Sequence, residues 1–189
     1  MFEKLYLRIR SFFRHKLLHI DDRPLLEIAI TNGLKIGKDC DIQSECIIDW
    51  SHCWLIEIGD RVTFAPRVYV LAHDASTKRP LGYTALGRVK IGNDVFVGAG
   101  TIILPGVEIG DRVVIGAGSV VSKSIPTGSV AIGNPARVIA SFDDYVEKRK
   151  WQMETAPCYD SSYIIGHITQ EKREEMLCAL KDGGVGFVK

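Results

Sequence analysis

The residue of this sequence with the clearest chemical potential is His73, which lies in the segment 70–75, Val-Leu-Ala-His-Asp-Ala. Imidazole is the side chain best suited to take up a proton near neutral pH, so His73 is a candidate general base. Its position supports this interpretation, because a regular repeat breaks off here and a polar insertion follows at residues 76–88. A histidine can also serve only as a structural hydrogen-bonding group, and that alternative stays open at this point.

The repeat that His73 interrupts has a period of six residues. An aliphatic residue recurs at every sixth position, and a smaller or β-branched residue stands two places before each next aliphatic. A spacing of two is the period of a β-strand, so both side chains face the same side, whereas a helix would scatter them. Turn formers such as Gly-Asn-Asp and Pro-Gly separate these pairs. The aliphatics are Ile91, Val97, Ile103, Ile109, Ile115 and Val121, and the smaller residues are Val95, Thr101, Val107, Val113 and Ser119.

Each six-residue unit predicts one very short strand followed by a tight turn. Three units bend the chain into a triangular coil of about eighteen residues, and successive coils stack as parallel sheets. We therefore predict an all-β solenoid, a parallel β-helix of hexapeptide repeats, over residues 33–139, with residues 76–88 as an extruded loop. A less regular run from Ile36 to Val70 supplies the early coils, after a register shift near residues 52–57. Glycines that follow aliphatics predict corners with a positive φ or a crowded backbone: Gly92, Gly98, Gly110 and Gly116.

The N-terminal region, residues 1–32, has a different pattern. Apolar residues recur at helical spacing over residues 2–17, with arginine and lysine between them. An amphipathic helix of this kind can cap the open end of a solenoid, where strand edges need cover. It can also make a peripheral contact with a membrane surface through residues 1–20. We favour the cap and keep the membrane contact as the alternative.

The C-terminal region, residues 140–189, is expected to form a helical extension. Residues 143–153 and 169–181 have helical character, and the glycine-rich residues 183–186 predict a flexible tail. Together with the N-terminal helix, this extension makes the expected architecture a solenoid with helical appendages at both ends.

Composition excludes several classes of protein. The net charge of +1 over 189 residues argues against a dedicated nucleic-acid binder, and no apolar run approaches the roughly 20 residues that span a bilayer. The start of the chain lacks the apolar core of a signal peptide, so a cytoplasmic location is expected. The five cysteines have no CxxC spacing. Those within the repeat, Cys40, Cys46 and Cys53, are interpreted as buried free thiols, and neither a zinc site nor a disulfide framework is favoured.

Three segments together resemble the hexapeptide-repeat acyltransferases, in particular the sugar O-acetyltransferase and antibiotic acetyltransferase-like group. They are residues 71–76, the hexads of residues 91–126, and Gly-Asn-Pro-Ala-Arg-Val-Ile at residues 133–139. The resemblance implies a left-handed β-helix that assembles as a homotrimer, with active sites in the grooves between neighbouring solenoids. It implies acetyl-CoA as the cosubstrate, no required metal, and direct attack of the acceptor on the thioester. His73 then removes the acceptor's proton, and no acyl-enzyme forms.

The resemblance also assigns roles to residues around His73 and along the later coils. Asp49 matches an acidic position of the family and orients either His73 or the acceptor, unless it is a solvated turn residue. Backbone N–H groups at the Gly98-Ala99 corner are candidate donors to the developing oxyanion. The remaining cofactor contacts implied are Ala99 and Ala117 for the pantetheine arm, and Ser122, Lys123 and Arg137 for the phosphorylated end. Ala140 stands where many relatives carry one more basic residue.

The acceptor that the resemblance implies is a sugar or glycan-precursor hydroxyl, as in carbohydrate biosynthesis, and an amine is not excluded. Asp74, Lys78, Arg79 and Tyr83 in the polar insertion are the candidate acceptor-binding residues. A nucleotide-sugar N-acetyltransferase and a non-catalytic trimeric binding module are the alternatives. A γ-type zinc carbonic anhydrase would need three converging histidines. The histidines available for it are His15, His19, His52, His73 and His167.

Overall fold

The computed structural model describes residues 25–189, which separate into two compact units with the boundary between Ile139 and Ala140. The amphipathic helix expected over residues 1–20 lies outside the described residues. The first described helix, Leu25–Thr31, buries Ala29 and leads into the first coil. No helix within residues 25–189 combines the length and the apolar character needed to cross a bilayer.

The first unit is a triangular coil whose three faces are sheets, and the strands of successive coils pair in parallel. The six-residue period produces this shape, because each unit contributes one short strand and one corner. The first face contains Lys35–Ile36, Ile56–Ile58, Val89–Ile91 and Glu108–Ile109. The second contains Asp41–Ile42, Thr63–Phe64, Phe96–Val97, Val114–Ile115 and Ser129–Ile132, which is next to Arg137–Ser141. The third contains Ile47–Ile48, Tyr69–Val70, Ile102–Ile103 and Val120–Val121.

The core of the solenoid is the column of aliphatic residues that the sequence pattern predicts. All six hexad aliphatics from Ile91 to Val121 are at most 1% exposed. Burial of each such side chain stabilises the fold by roughly 1.5–3 kcal/mol. The small polar members of the pattern are buried as well, and Ser119 satisfies its hydroxyl by donating to the carbonyl of Gly116 at 2.6 Å. The periodicity therefore predicted the core correctly.

Between Tyr69–Val70 and Val89–Ile91 the chain leaves the coil as an ordered hairpin, which we call the arm (residues 73–86). Its two strands, His73–Asp74 and Ala85–Leu86, pair antiparallel. A four-residue helix, Lys78–Leu81, lies between them and is followed by Gly82 in the left-handed conformation. The segment expected as an extruded loop thus has an internal structure that the sequence did not indicate.

The second unit contains the helices Phe142–Thr155 and Gln170–Ala179, which confirm the helical prediction for this region. Ser141 and Thr169 cap their N-termini through side-chain oxygens. A 3₁₀ turn at Ser161–Tyr163 lies between the helices. Residues 183–186, where a flexible tail was predicted, lead into Phe187–Val188, which pairs in parallel with Cys158–Tyr159. The N–H groups of Phe187 and Lys189 donate to the carbonyls of Pro157 and Tyr159.

All five cysteines are free thiols, as expected. The expectation that those of the repeat are buried holds fully only for Cys53. Cys40 and Cys46 in the first coil are half-buried, and their sulfurs donate to the carbonyls of Gly59 and Ala65 in the next coil.

Candidate active site

Asp49 and His73 lie at the same corner of successive coils. Asp49 directly follows the strand Ile47–Ile48, and His73 opens the arm just after the strand Tyr69–Val70, which stacks on the first strand. The N–H of Asp49 donates to the carbonyl of Val70 at 2.8 Å, which fixes the register between the two corners. Two residues that are 24 positions apart in sequence therefore become direct neighbours.

The carboxylate of Asp49 holds the imidazole of His73 by a hydrogen bond to Nδ1. The side chain of Asp49 is only 2% exposed, and it also accepts bonds from Ser51 Oγ at 2.7 Å and from the N–H of Ala72 at 3.0 Å. An ionised carboxylate can only accept, so Nδ1 carries the proton and Nε2 of the neutral ring is free to act as a base. The side chain of His73 is 35% exposed, which leaves it accessible to a ligand. Of the roles considered for Asp49, its geometry is that of the residue that orients His73.

The surroundings of Asp49 favour its ionised form. Burial raises the pKa of this carboxyl group, but hydrogen bonds from Ser51, His73 and the Ala72 N–H outweigh that effect and bring the net pKa below its ordinary value. Asp49 is therefore a carboxylate at neutral pH, as a partner of an imidazole Nδ1–H requires.

Two further residues complete this cluster: Ser51, which the sequence did not single out, and His52, which it indicated only as a possible zinc ligand. Ser51 Oγ lies 3.0 Å from Nδ1 of His52, and the ring of His52 neighbours those of both His73 and Trp54. A signal was present, because His52 opens the register shift at residues 52–57 and Ser51 directly precedes it, and a similar break distinguishes His73.

The cluster also bears on metal binding. Asp49, His52 and His73 each offer a ligand atom within 4.8 Å of the others. Both oxygens of Asp49 are already engaged by protein donors, so a metal held by all three residues would displace these bonds. The three histidines of a carbonic anhydrase site do not converge here within the described residues. The cluster contains two histidines, His52 and His73, and His15 and His19 lie outside residues 25–189.

The four residues predicted to bind the acceptor all lie on the arm. Asp74 pairs with Ala85 and accepts a hydrogen bond from the N–H of Ser76 at 2.8 Å, which lowers the pKa of its exposed carboxyl group. It therefore stabilises the turn of the arm, while Asp49 holds His73. The other three are exposed in the segment between the strands of the arm: Lys78, Arg79 and Tyr83.

Gly98, Ala99 and Ala117 lie at one corner of successive coils. The N–H of Gly98 donates to the carbonyl of Ile115 at 2.8 Å, so it is not available to an oxyanion, and the prediction for this corner is corrected to Ala99 alone. The N–H of exposed Ala99 has no hydrogen-bond partner within residues 25–189. A Cβ on Gly98 would lie 2.4 Å from the Ala117 nitrogen, so of the two explanations offered for this glycine, the crowded backbone applies.

The predicted contacts of the phosphorylated end lie further along the chain. Ser122 and Lys123 directly follow the strand Val120–Val121, at the corner of the third face that Asp49 occupies in the first coil. Both are exposed, and so is Arg137, whose guanidinium donates to the carbonyl of Ala136 at 2.9 Å. These cations are thus accessible to an anionic ligand.

Comparison with known proteins establishes the family. Residues 88–123 match the family described as bacterial transferase hexapeptide (six repeats). Protein CapG of Staphylococcus aureus is 40% identical over 121 residues, which cover 61% of this chain and 70% of CapG. The chain belongs to the hexapeptide-repeat acetyltransferases. This assignment confirms the family resemblance and the predicted enzyme class.

Solved structures agree with the fold of this acetyltransferase. A maltose O-acetyltransferase from Clostridium difficile 630 is 34% identical, with 65% of this chain and 78% of that chain covered and a TM-score of 0.50. A hexapeptide-repeat containing acetyltransferase from Vibrio cholerae O1 biovar eltor, VCA0836, was solved in complex with acetyl coenzyme A. It is 29% identical to this chain, and the match covers 58% of this chain and 61% of VCA0836, with a TM-score of 0.53. The left-handed parallel β-helix with helical appendages is thereby confirmed.

Proposed function

We propose that this acetyltransferase moves an acetyl group from acetyl-CoA to a hydroxyl of a sugar or glycan precursor, with His73 as the general base. The observation that carries the proposal is the buried carboxylate of Asp49 on Nδ1 of His73. That contact leaves Nε2 as a proton acceptor on an accessible ring, which lies at the corner of the second coil.

The reaction needs only one proton relay. Nε2 of His73 takes the proton of the acceptor hydroxyl as its oxygen attacks the thioester carbonyl carbon, and Asp49 stabilises the imidazolium that forms. The carbon–sulfur bond then breaks, and His73 returns the proton to sulfur, so that coenzyme A leaves as a free thiol. The N–H of Ala99 is the candidate donor to the negative charge that develops on the carbonyl oxygen. No protein atom becomes acetylated.

The later coils have the chemistry to bind coenzyme A. Ala99 and Ala117 are exposed residues with small side chains, which suits close approach of a pantetheine arm. Exposed Lys123 and Arg137 can bind phosphates, with the hydroxyl of Ser122 beside them. Similarity to the structure solved with acetyl coenzyme A supports this assignment.

A hydroxyl of a sugar is the acceptor best supported, because a maltose O-acetyltransferase is among the similar structures. Lys78, Arg79 and Tyr83 of the arm are proposed to contact this acceptor. The assembly proposed is a homotrimer with its active sites between neighbouring solenoids. Five free thiols and dependence on acetyl-CoA fit an enzyme of the cytoplasm.

An acceptor screen tests the proposal. Purified protein is incubated with acetyl-CoA and a panel of sugars, sugar alcohols, amino sugars and nucleotide sugars, while thiol release is followed and the product is identified by mass spectrometry. We expect O-acetylation of a sugar by a protein of trimeric mass, with turnover unchanged after EDTA treatment. Transfer only to an amine would favour the N-acetyltransferase alternative. Coenzyme A binding without transfer to any acceptor would favour a binding module.

A further inference from the structure

Ser51, His52 and Trp54 form a connected group beside Asp49 and His73, and no role in the proposed reaction has been given to them. We infer that His52 is a second acceptor-binding residue, which accepts a hydrogen bond from a hydroxyl adjacent to the one that is acetylated. The inference rests on the proposed function and adds a determinant of acceptor specificity to it.

The hydrogen bonds of Ser51 determine which nitrogen of His52 carries a proton. Ser51 Oγ lies 2.7 Å from Oδ1 of Asp49, and because an ionised carboxylate only accepts, Ser51 donates its single proton there. The lone pairs of Oγ remain for Nδ1 of His52 at 3.0 Å, so this nitrogen is the donor. In the neutral ring Nε2 of His52 is then an acceptor, and it has no hydrogen-bond partner within the described part of the chain.

The rings of Trp54, His52 and His73 form a row of successive contacts, in which His52 neighbours both Trp54 and the proposed base. The centroid of the His52 ring lies 5.1 Å from that of His73 and 5.3 Å from that of Trp54, with interplanar angles of 45° and 50°. Trp54 is 56% exposed and His52 is half-buried, so the row is accessible to a ligand. A second imidazole thus lies next to the ring that takes the proton, and an exposed indole lies next to that second imidazole.

A sugar ring has the chemistry to occupy this row. Its C–H face can pack on an aromatic surface, and its neighbouring hydroxyls are hydrogen-bond donors. One hydroxyl gives its proton to Nε2 of His73, and the adjacent hydroxyl donates to Nε2 of His52. A ligand with a single hydroxyl satisfies only the first contact. His52 therefore selects acceptors that carry two adjacent hydroxyls.

A purely structural role of His52, in which it only supports Ser51, makes a different prediction. The two roles use different ring nitrogens, and two amide substitutions separate them. His52→Asn retains a donor near the position of Nδ1, for Ser51, and has nothing near the position of Nε2. His52→Gln extends its amide toward the position of Nε2 and loses the donor to Ser51.

The experiment uses methyl hexopyranosides of several configurations as probes. For the best acceptor, kcat/KM is compared with that of the monodeoxy analogue that lacks the hydroxyl adjacent to the acetylated one. We expect wild-type protein to lose about tenfold on the analogue, the loss typical of one neutral hydrogen bond. His52→Asn is expected to be about tenfold weaker on the parent glycoside and to treat both compounds alike. His52→Gln is expected to retain most of the discrimination.

Two results would overturn the inference: a wild-type protein that does not distinguish the two compounds, or a His52→Asn variant that distinguishes them as wild type does. The second result includes an equal fold loss by His52→Asn on both compounds, which would assign a structural role to His52. Coenzyme A affinity is measured for each variant to verify folding. Failure of the proposed function itself has a separate signature, since wild-type protein would then acetylate none of the glycosides.

Discussion

Asp49 is the hydrogen-bond partner of His73 because Ile48 pairs with Val70, which places the ends of two successive strands of the third face side by side. The hexapeptide coil therefore builds the pair without any local motif. The first coil supplies the carboxylate, the second supplies the imidazole, and the start of the arm turns the ring of His73 toward Asp49.

Removal of the base should abolish most turnover and leave cofactor binding intact. We expect His73→Ala to lower kcat by roughly 10²–10⁴-fold, the range for a positioned general base. The side chain is partly exposed and outside the solenoid core, so the fold should persist. The rate of thiol release measures the loss of turnover, and calorimetric titration with coenzyme A shows whether cofactor binding is intact. Turnover close to wild type would refute the role of His73.

The buried carboxylate should make stability depend on pH in the acid range. The pKa of Asp49 is lowered in the folded protein, so its contribution is fully present above the ordinary unfolded value of about 4 and is lost as the pH falls through the folded pKa. Asp49→Asn cannot show this contribution. We expect the difference in unfolding free energy between wild type and variant to be largest at neutral pH and to shrink in acid. Urea unfolding at a series of pH values measures it, and a constant difference would contradict the assignment.

Close packing of coils at Gly98 predicts a large effect of one methyl group. Gly98→Ala places a Cβ 2.4 Å from the Ala117 nitrogen. Because the atoms it meets are backbone atoms of Gly116 and Ala117, the backbone of one coil must move away from the other. We expect a loss of about 3 kcal/mol in unfolding free energy. Gly184→Ala is the matched control, because nothing lies within 4 Å of its added Cβ. Equal denaturation midpoints for the two variants would show that the corner is not crowded.

Two exposed cations are predicted to bind the phosphorylated end of coenzyme A. We expect the double variant Lys123→Ala/Arg137→Ala to raise the Kd of coenzyme A by about tenfold. The increase in Kd over wild type should be smaller at high salt, because the contacts are charged. Lys148→Ala, on the exposed surface of the helix Phe142–Thr155, is the control. Calorimetry at two ionic strengths provides the measurement. An unchanged Kd would remove both residues from the cofactor site.

The arm is predicted to affect acceptor binding and to leave the chemical step unchanged. Lys78→Ala/Arg79→Ala should raise the acceptor KM severalfold while kcat stays close to wild type, because neither side chain has a part in the proposed proton transfer. Both are exposed, so their loss should not disturb the core. Steady-state kinetics with the acceptor identified by the screen decide the matter. An unchanged KM would count against an acceptor role for the arm.

Repetition explains why so much of the fold was predictable. Two apolar or small residues that stand two positions apart and recur every six positions can be buried together in few folds. Residues of this pattern such as Ile103 and Val121 lie in the core as expected. His73 was recognisable because it interrupts that pattern. Asp49 was recognised only through a family resemblance, since nothing local distinguishes it from a turn aspartate.

Other features escaped prediction because they depend on contacts between distant residues. Ser51 gains its importance only when Asp49 and His52 are placed around its hydroxyl. The pairing of His73 with Leu86 and of Tyr159 with Val188 involves strands of two residues each, which are too short to leave a sequence pattern. The N–H of Gly98 could be removed from the list of oxyanion donors only once its partner Ile115 was known.

By itself, the sequence determined a triangular solenoid, the residues of its core, and the position at which the repeat is interrupted by a candidate catalytic histidine. Those properties follow from period and side-chain type, which are local. Only the tertiary structure decided that Asp49 orients His73, that Asp74 does not, and that His52 stands beside them. The register between coils decides these contacts, and it depends on the whole length of chain between the paired strands Ile47–Ile48 and Tyr69–Val70, including the shift at residues 52–57.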